Sequence, residues 1–179
     1  RYIAERYKKR GEHLKAAQAF ERVVEEQPNY RFAAQTLFDA AKEYEAIKDF
    51  RKAAVVYQQI VMNYPGWKYA PGALYNAALA FDEINDKRQA AQLYEQLAKI
   101  YPNYEKVSDA IYNAAVKYEE LEDWRNAARV FEWFVEKYPD DKDAKDFLFT
   151  AGKYYAKIGE EQKSKEVYAL FSQKYPDDT

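Results

Sequence analysis

Apolar and polar residues follow one another along the chain with the period of an α-helix. Within one stretch the apolar side chains are three, one and three residues apart, at Leu74, Ala77, Ala78 and Phe81. This spacing places them on one face of a helix, and a second helix with the same property follows at once. The pattern recurs along the chain and predicts these helices: 1–10, 13–26, 31–47, 50–63, 70–84, 87–100, 106–121, 124–137, 142–158 and 161–174.

The helical pattern itself repeats, and prolines mark the end of each unit. They stand 37 residues apart at Pro28, Pro65, Pro102, Pro139 and Pro176. Eight residues before each proline stands Phe or Tyr, and twelve before stands Ala or Ser. Because these columns keep their spacing throughout, we expect residues 1–179 to form a single solenoid of about five stacked helix pairs. Arg1 already lies inside an aligned helix, so we expect the sequence to be a piece of a longer chain.

The residues between the helices predict how each helix begins and ends. An acid precedes the second helix of each pair, where its carboxylate could accept hydrogen bonds from the free amides at the start of that helix. These acids are Glu12, Asp49, Asp86, Asp123 and Glu160. Gly11 and Gly159 stand just before two of these acids and favour the left-handed conformation that ends a helix. We therefore expect a tight turn inside each repeat.

Aromatic residues follow the prolines in the joints between repeats. We expect Tyr30, Trp67 and Tyr104 to pack over these joints rather than to bind a ligand. A tyrosine precedes the last four repeat-ending prolines, and we expect this column to plug consecutive repeats: Tyr64, Tyr101, Tyr138 and Tyr175. The later joints carry Asp140-Asp141 and Asp177-Asp178 at these places. Those joints are predicted to be more open and more polar.

The columns resemble the tetratricopeptide repeat, whose pattern is Trp-x2-Leu-Gly-x2-Tyr, then Ala-x3-Phe, then Pro. The third unit here reads Leu74-x2-Ala77-Ala78-x2-Phe81, Ala90-x3-Tyr94 and Pro102. The resemblance implies an all-α, right-handed superhelical solenoid of antiparallel helix pairs. It also implies a concave groove, lined by the first helix of each pair, in which a protein or peptide partner binds.

The period of 37 residues is three longer than the 34 of the ordinary tetratricopeptide repeat, and the extra residues lengthen the joint after each proline. This longer repeat with Tyr-Pro endings is similar to a subtype of the family found in bacterial envelope proteins. Examples are the helical lipoprotein of the outer-membrane β-barrel assembly machine and the periplasmic coordinator of the Tol-Pal system. This resemblance implies a place in the bacterial periplasm or at the outer membrane, with a cytoplasmic place left open.

The composition excludes several classes of function. The chain has no Cys, one His and a formal net charge of −2, which provides neither thiolate chemistry nor a basic footprint for nucleic acid. No apolar run is long enough for direct membrane insertion by this segment. His13 falls in a predicted turn beside Glu12, and we interpret it as a solvated turn residue. The sequence predicts no enzyme activity, no metal site and no cofactor.

The candidate binding residues lie on the predicted groove face. An aromatic column of Phe or Tyr recurs on four consecutive first helices, with amide, apolar and charged residues beside it. Such rings give large contact area at low entropy cost, and Asn can bond a peptide backbone. The same rings could instead half-pack against a neighbouring helix. The candidate groove residues are Phe38, Lys42, Tyr75, Asn76, Leu79, Tyr112, Asn113, Val116, Glu119, Phe149 and Lys153.

Three functions remain open at this stage. The leading hypothesis is a non-catalytic scaffold that binds a protein or peptide in the groove, within a cell-envelope assembly. The second is a receptor for carbohydrate or another small ligand that stacks on the aromatic column. The third is a structural spacer that associates with itself through its open ends.

Overall fold

The computed structural model describes residues 1–176 of the chain, and every regular element within that range is an α-helix. The first helix has 8 residues and the later ones 14 each, with ends that agree with the predicted ranges to within two residues. The helices are α1 (Tyr2–Lys9), α2 (His13–Glu26), α3 (Ala33–Ala46), α4 (Phe50–Asn63), α5 (Ala70–Glu83), α6 (Lys87–Ile100), α7 (Val107–Glu120), α8 (Trp124–Lys137), α9 (Ala144–Lys157) and α10 (Glu161–Lys174).

The helices belong to two compact units, Arg1–Leu93 and Tyr94–Thr179. In the first unit each helix from α1 to α4 packs on the helix that follows it. In the second unit α7 packs on α8, α8 on α9 and α9 on α10. The sequential pairing of helices confirms the predicted fold class, while a single solenoid over 1–179 stays a prediction.

Small residues let neighbouring helices approach closely, and aromatic rings fill the space between them. Ala53, Ala90 and Ala127 have no solvent exposure. The column that follows them four residues later is buried as well, at Phe20, Tyr57, Tyr94 and Phe131. Gly152 takes the place of an alanine because a Cβ there would lie 2.7 Å from the ring of Tyr168. The core is therefore a repeated match of small and large side chains.

Each repeat turns from its first helix to its second through the same backbone motif. Asp49 N donates to Tyr44 O at 2.9 Å and Lys48 N donates to Glu45 O at 2.8 Å, which is the bonding pattern of a Schellman motif. The left-handed residue of this motif is glycine in two turns, with φ of 71° at Gly11 and 78° at Gly159. The other turns force a residue with a side chain into the same region: Lys48, Asn85 and Glu122.

The predicted acid caps are confirmed for aspartate and wrong for glutamate. Asp49 Oδ1 accepts from the Lys52 amide at 3.2 Å, and Asp86 and Asp123 accept from the equivalent amides at 3.4 Å. Glu12 and Glu160 make no such bond. The additional methylene of glutamate carries its carboxylate past the amides, so these two side chains pair with Lys15 and Arg125 instead.

The joints between repeats are built by rings, as predicted. Trp67 is half-buried, and its ring centroid lies 5.7 Å from that of Phe38 on α3 and 5.3 Å from that of Tyr69. Tyr64 donates a hydrogen bond of 2.8 Å from its hydroxyl to the carbonyl of Pro28 in the preceding joint. Asp140 and Asp141 are exposed, in agreement with a more polar joint there, while its greater openness stays a prediction. The other predicted polar joint, at Asp177-Asp178, lies outside the described residues.

Buried tyrosine hydroxyls link consecutive repeats, a feature that the sequence patterns above did not anticipate. Tyr44 donates to Glu21 at 2.5 Å, Tyr118 to Glu95 at 2.8 Å and Tyr155 to Glu132 at 2.6 Å. The two partners are always 23 residues apart. Where the first helix has Phe81 in place of tyrosine, the residue 23 positions earlier is Gln58. This matched change is the signal in the sequence that could have revealed these tyrosine–glutamate bridges.

Candidate functional site

In the first unit, the predicted groove rings are more covered than expected. Phe38 is half-buried between Tyr57, at 5.3 Å between ring centroids, and Trp67. Tyr75 is also half-buried. Phe38 and Tyr75 therefore agree with the alternative in which the rings of this column are partly packed. For Phe38 the reason is the longer joint, which lets the Trp67 ring lie against it.

The neighbours of these rings divide between structure and solvent. Asn76 hydrogen-bonds the Tyr57 hydroxyl, which in turn donates to Glu45 at 2.9 Å. Burial and the adjacent Glu45 raise the pKa of Tyr57, so this hydroxyl keeps its proton. Lys42 is exposed and pairs with Glu45. Leu79 is 41% exposed and leaves an apolar side chain open to a partner.

In the second unit, the equivalent rings are more open. Tyr112 and Phe149 are each 45% exposed. Tyr112 is stacked on Phe147 at 5.6 Å, and Phe149 lies 5.5 Å from Phe171. Each ring therefore has a fixed support beneath it and still presents surface to solvent. Phe147 is the residue that the sequence analysis missed: it occurs in a column that otherwise holds Thr36, Ala73 and Ala110, and this large residue among small ones was the available signal.

The remaining candidates of the second unit surround these rings. Asn113 and Val116 are half-buried, and Lys153 is exposed. No carboxylate of the described chain lies within ion-pair distance of Lys153. Glu119 accepts a hydrogen bond from Tyr154, and burial together with this carboxylate raises the pKa of Tyr154. A cation and two ring surfaces thus remain available on this face, while Glu119 is already engaged.

His13 is not the solvated turn residue that the sequence predicted. It begins α2, and its Nδ1 lies 2.6 Å from Oε2 of Glu43, whose side chain is 5% exposed. Lys8 Nζ lies 3.0 Å from the other oxygen of that carboxylate. Burial alone would raise the pKa of Glu43, but the hydrogen bonds from His13 and Lys8 outweigh it and lower that pKa. Both contacts of Glu43 join consecutive helix pairs, so the cluster stabilises the stack.

The described residues contain no group of three or more His, Cys, Asp or Glu side chains placed to hold a metal ion. None of the helices described has the length and apolarity that a membrane crossing requires.

Comparison with known proteins supports the repeat family. The model of the tetratricopeptide repeat matches residues 72–104 and 109–141. No curated protein sequence in the comparison matches the chain. No enzyme family is indicated by these matches.

Solved structures match the fold over nearly the whole chain. The crystal structure of MamA is 18% identical and has a TM-score of 0.52, with 98% of this chain and 96% of that chain covered. A kinesin light chain protein from Podosopora anserina with nearly identical TPR-like repeats is 16% identical, with a TM-score of 0.51 and coverage of 99% and 93%. A tetratricopeptide repeat protein from Parabacteroides merdae is 16% identical, with a TM-score of 0.53 and coverage of 99% and 66%.

At these identities the structural matches show the fold alone. The sequence match of two repeats and the fold match over nearly the whole chain indicate the same architecture. The protein therefore has a fold of paired helices like that of tetratricopeptide repeat proteins, and two of its repeats match the tetratricopeptide repeat in sequence.

Proposed function

We propose that the protein is a non-catalytic scaffold that binds a peptide or protein segment on the face of its first helices. The observation that carries this proposal is the exposure of Leu79, Tyr112 and Phe149, which lie on first helices in neighbouring columns of the repeat. The described second helices also expose apolar side chains, such as Val55 and Met62, but none of their aromatic rings is exposed. An apolar surface that recurs with the repeat suits an extended partner.

The fixed rings favour binding energetically. Because Tyr112 rests on Phe147 and Phe149 rests beside Phe171, little side-chain entropy remains to be lost when a partner covers them. Lys153 near these rings can orient a partner through a carboxylate or a carbonyl. A peptide with apolar side chains at regular spacing is the partner that this surface fits.

The setting that we propose is an assembly of the bacterial cell envelope, and it rests on the resemblance of the 37-residue Tyr-Pro subtype. Fractionation of the source organism with an antibody to this protein tests it. Recovery in the periplasmic or outer-membrane fraction is expected, and recovery only in the cytoplasmic fraction would contradict it.

The binding surface is tested with peptides selected from a phage-displayed library against the wild-type protein. Their affinities are measured by fluorescence anisotropy for Leu79→Ala, Tyr112→Ala and Met62→Ala. Met62 is the matched control, because it is 78% exposed but lies on the second helix α4. We expect each of the first two substitutions to weaken binding about tenfold, and Met62→Ala to change it by less than about twofold.

Two outcomes would contradict the proposal. Equal loss of affinity for all three variants, or no loss for any, would remove the first-helix face as the binding surface. A panel of oligosaccharides in the same assay covers the receptor alternative, since saturable binding to a glycan that is lost in Tyr112→Ala would favour that function. Sedimentation over a range of concentrations covers the self-associating spacer.

A further inference from the structure

The first joint of the chain, together with Arg1 and Trp67, lines an open cavity that the groove prediction did not include. It has a volume of about 520 Å³ and is lined by Arg1, Tyr30, Arg31, Phe32, Gln35 and Trp67. We call it the basic–aromatic cavity. Its lining holds two guanidinium groups, three aromatic rings and an amide, and none of its lining residues is acidic. A cavity of this composition favours a negatively charged ligand with an apolar or planar part.

The Arg31 guanidinium and the aromatic rings of this cavity are in contact with one another. The Arg31 guanidinium lies 4.2 Å from the centroid of the Phe32 ring, and Tyr30 meets Phe32 edge-on at 5.4 Å. Trp67 is fixed in turn against Phe38. The stacked guanidinium is already oriented, so it loses less freedom when it binds a carboxylate than a free arginine would.

The two arginines of the cavity differ in their charge balance. Arg1 is engaged, since its guanidinium lies 2.9 Å from Asp39 Oδ2. No carboxylate of the described chain lies within ion-pair distance of Arg31, which is exposed. Arg31 therefore has its full charge and its hydrogen-bond donors available to a partner.

The next joint also has a cation between two aromatic residues, and the later joints do not. Lys68 lies 5.3 Å from the centroid of Tyr69, which is exposed and meets Trp67 edge-on. At the positions that Arg31 and Lys68 occupy, the later repeats have Glu105 and Lys142, and Lys142 is flanked by Asp141 and Asp143. The aromatic–cation–aromatic sequence is thus confined to the first two joints.

We propose that the basic–aromatic cavity binds an acidic segment of a protein partner, in which Asp or Glu stands beside an apolar or aromatic residue. The carboxylate would receive paired hydrogen bonds from Arg31, while the apolar neighbour would lie on Phe32 and Trp67. This inference rests on the proposed peptide-binding function for the class of partner, and it adds the chemistry that the partner must have.

Charge favours a protein partner over a nucleic acid. Residues 1–28 and 29–65 have formal charges of +2 and +1, whereas residues 103–139 have −3. A nucleic acid depends on several phosphate contacts along a basic track, which a chain of net charge −2 does not supply. A short acidic segment needs only the one unneutralised guanidinium and the rings beside it.

The cavity also adjoins the proposed binding face within the first unit. Arg1 stands 37 residues before Phe38, so it occupies the aromatic column of the candidate groove one repeat earlier. Trp67 contacts both the cavity and Phe38. A peptide that lies along the first helices could therefore place an acidic residue in the cavity.

The test uses a fluorescein-labelled peptide of about twelve residues in which Asp and Glu alternate with Leu and Tyr, a length that spans a single cavity of this size. Its matched control replaces each acid by the corresponding amide. Anisotropy titrations compare the wild-type protein with Arg31→Gln and Lys142→Gln. Lys142→Gln removes the same charge at the equivalent position of another joint. Both substituted side chains are exposed, and thermal melts verify that the variants fold.

We expect the acidic peptide to bind the wild type about tenfold more tightly than the amide peptide. Arg31→Gln should abolish this preference, and Lys142→Gln should change the affinity by less than about twofold. Equal binding of the two peptides, or equal effects of the two variants, would overturn the inference. Tighter binding of a thymidine single strand of the same charge would overturn the protein class of the partner.

Failure of this inference and failure of the proposed function are distinguishable in the same assay. If library-selected peptides bind Tyr112→Ala more weakly while the affinity of the acidic peptide is the same for Arg31→Gln and wild type, the cavity assignment fails and the scaffold function stands. If the acidic peptide responds to Arg31→Gln while Tyr112→Ala has no effect on any peptide, the cavity stands and the groove assignment fails.

Discussion

Replacing Glu95 by Gln should destabilise the protein strongly, because Glu95 is the centre of a buried polar network in the second unit. Its side chain is 6% exposed, and its carboxylate accepts from Arg129 at 2.7 Å, Tyr118 at 2.8 Å and Lys99 at 3.1 Å. Gln keeps the shape of the side chain and removes the charge. The network joins consecutive repeats, so its loss weakens the stacking between them.

The size of the effect follows from what the substitution leaves behind. Removing one partner of a buried ion pair costs about 3–5 kcal/mol when the remaining charge stays buried. Here Arg129 is 44% exposed and Lys99 is 61% exposed, so both cations can turn to water. We therefore expect Glu95→Gln to lower the free energy of unfolding by about 2–3 kcal/mol.

Two further variants serve as controls. Glu21 accepts only from Tyr44 in the described chain, so Glu21→Gln should cost about 1 kcal/mol. Adding Tyr118→Phe to Glu95→Gln reproduces the Gln58 and Phe81 combination that the chain uses elsewhere. The double variant should therefore be less unstable than the sum of the two single variants, with a coupling of about 1–2 kcal/mol.

The assay is urea unfolding followed by far-UV circular dichroism, at neutral pH and in acid. Burial alone would raise the pKa of Glu95, but the hydrogen bonds from Arg129 and Tyr118 outweigh it and lower that pKa below its ordinary value of 4.5. Because the folded pKa is lowered, the stability that Glu95 contributes is present above pH 4.5 and is lost as the pH falls through the folded pKa. A difference from wild type under about 0.5 kcal/mol at neutral pH, or one that does not shrink in acid, would refute the reasoning.

Four more substitutions test the local structure of the repeats. Asp49→Ala should lower the free energy of unfolding by about 1 kcal/mol because it removes the cap on the Lys52 amide, whereas Glu12→Ala should leave it unchanged in paired urea curves. Glu122→Gly should raise it by about 0.5–1 kcal/mol, since Glu122 holds a φ of 54°; a loss of stability would contradict this. Ala127→Leu should lower it by about 1–3 kcal/mol because Ala127 is fully buried, and an unchanged thermal melt would show that packing assignment to be wrong.

Most of the fold could be predicted from the sequence, because the same apolar spacing and the same terminal proline recur in each repeat. A single apolar period leaves helix ends uncertain, but five prolines in register fix them together with the turns. The failures at Glu12 and Glu160 come from geometry that charge does not reveal, since one methylene decides whether a carboxylate reaches the helix amides.

The candidate site could be predicted only in part. The column of rings pointed to helices that do carry partly exposed rings, but the degree of exposure depends on residues that are distant in sequence. Trp67 covers Phe38 through a joint whose path the pattern did not specify, while Phe147 supports Tyr112 and leaves it open. The chemistry of the first joint was visible as Tyr30-Arg31-Phe32, although the open cavity that those residues line depends on the position of Trp67 from the next joint.

The binding of a selected peptide to the first helices is the central claim, and amide chemical shifts test it most directly. At 21.1 kDa the protein is suited to two-dimensional NMR of the labelled chain. Adding the peptide should shift the amides of α3, α5, α7 and α9, with the largest changes around Leu79, Tyr112 and Phe149. Shifts confined to α4, α6, α8 and α10 would contradict the proposed function.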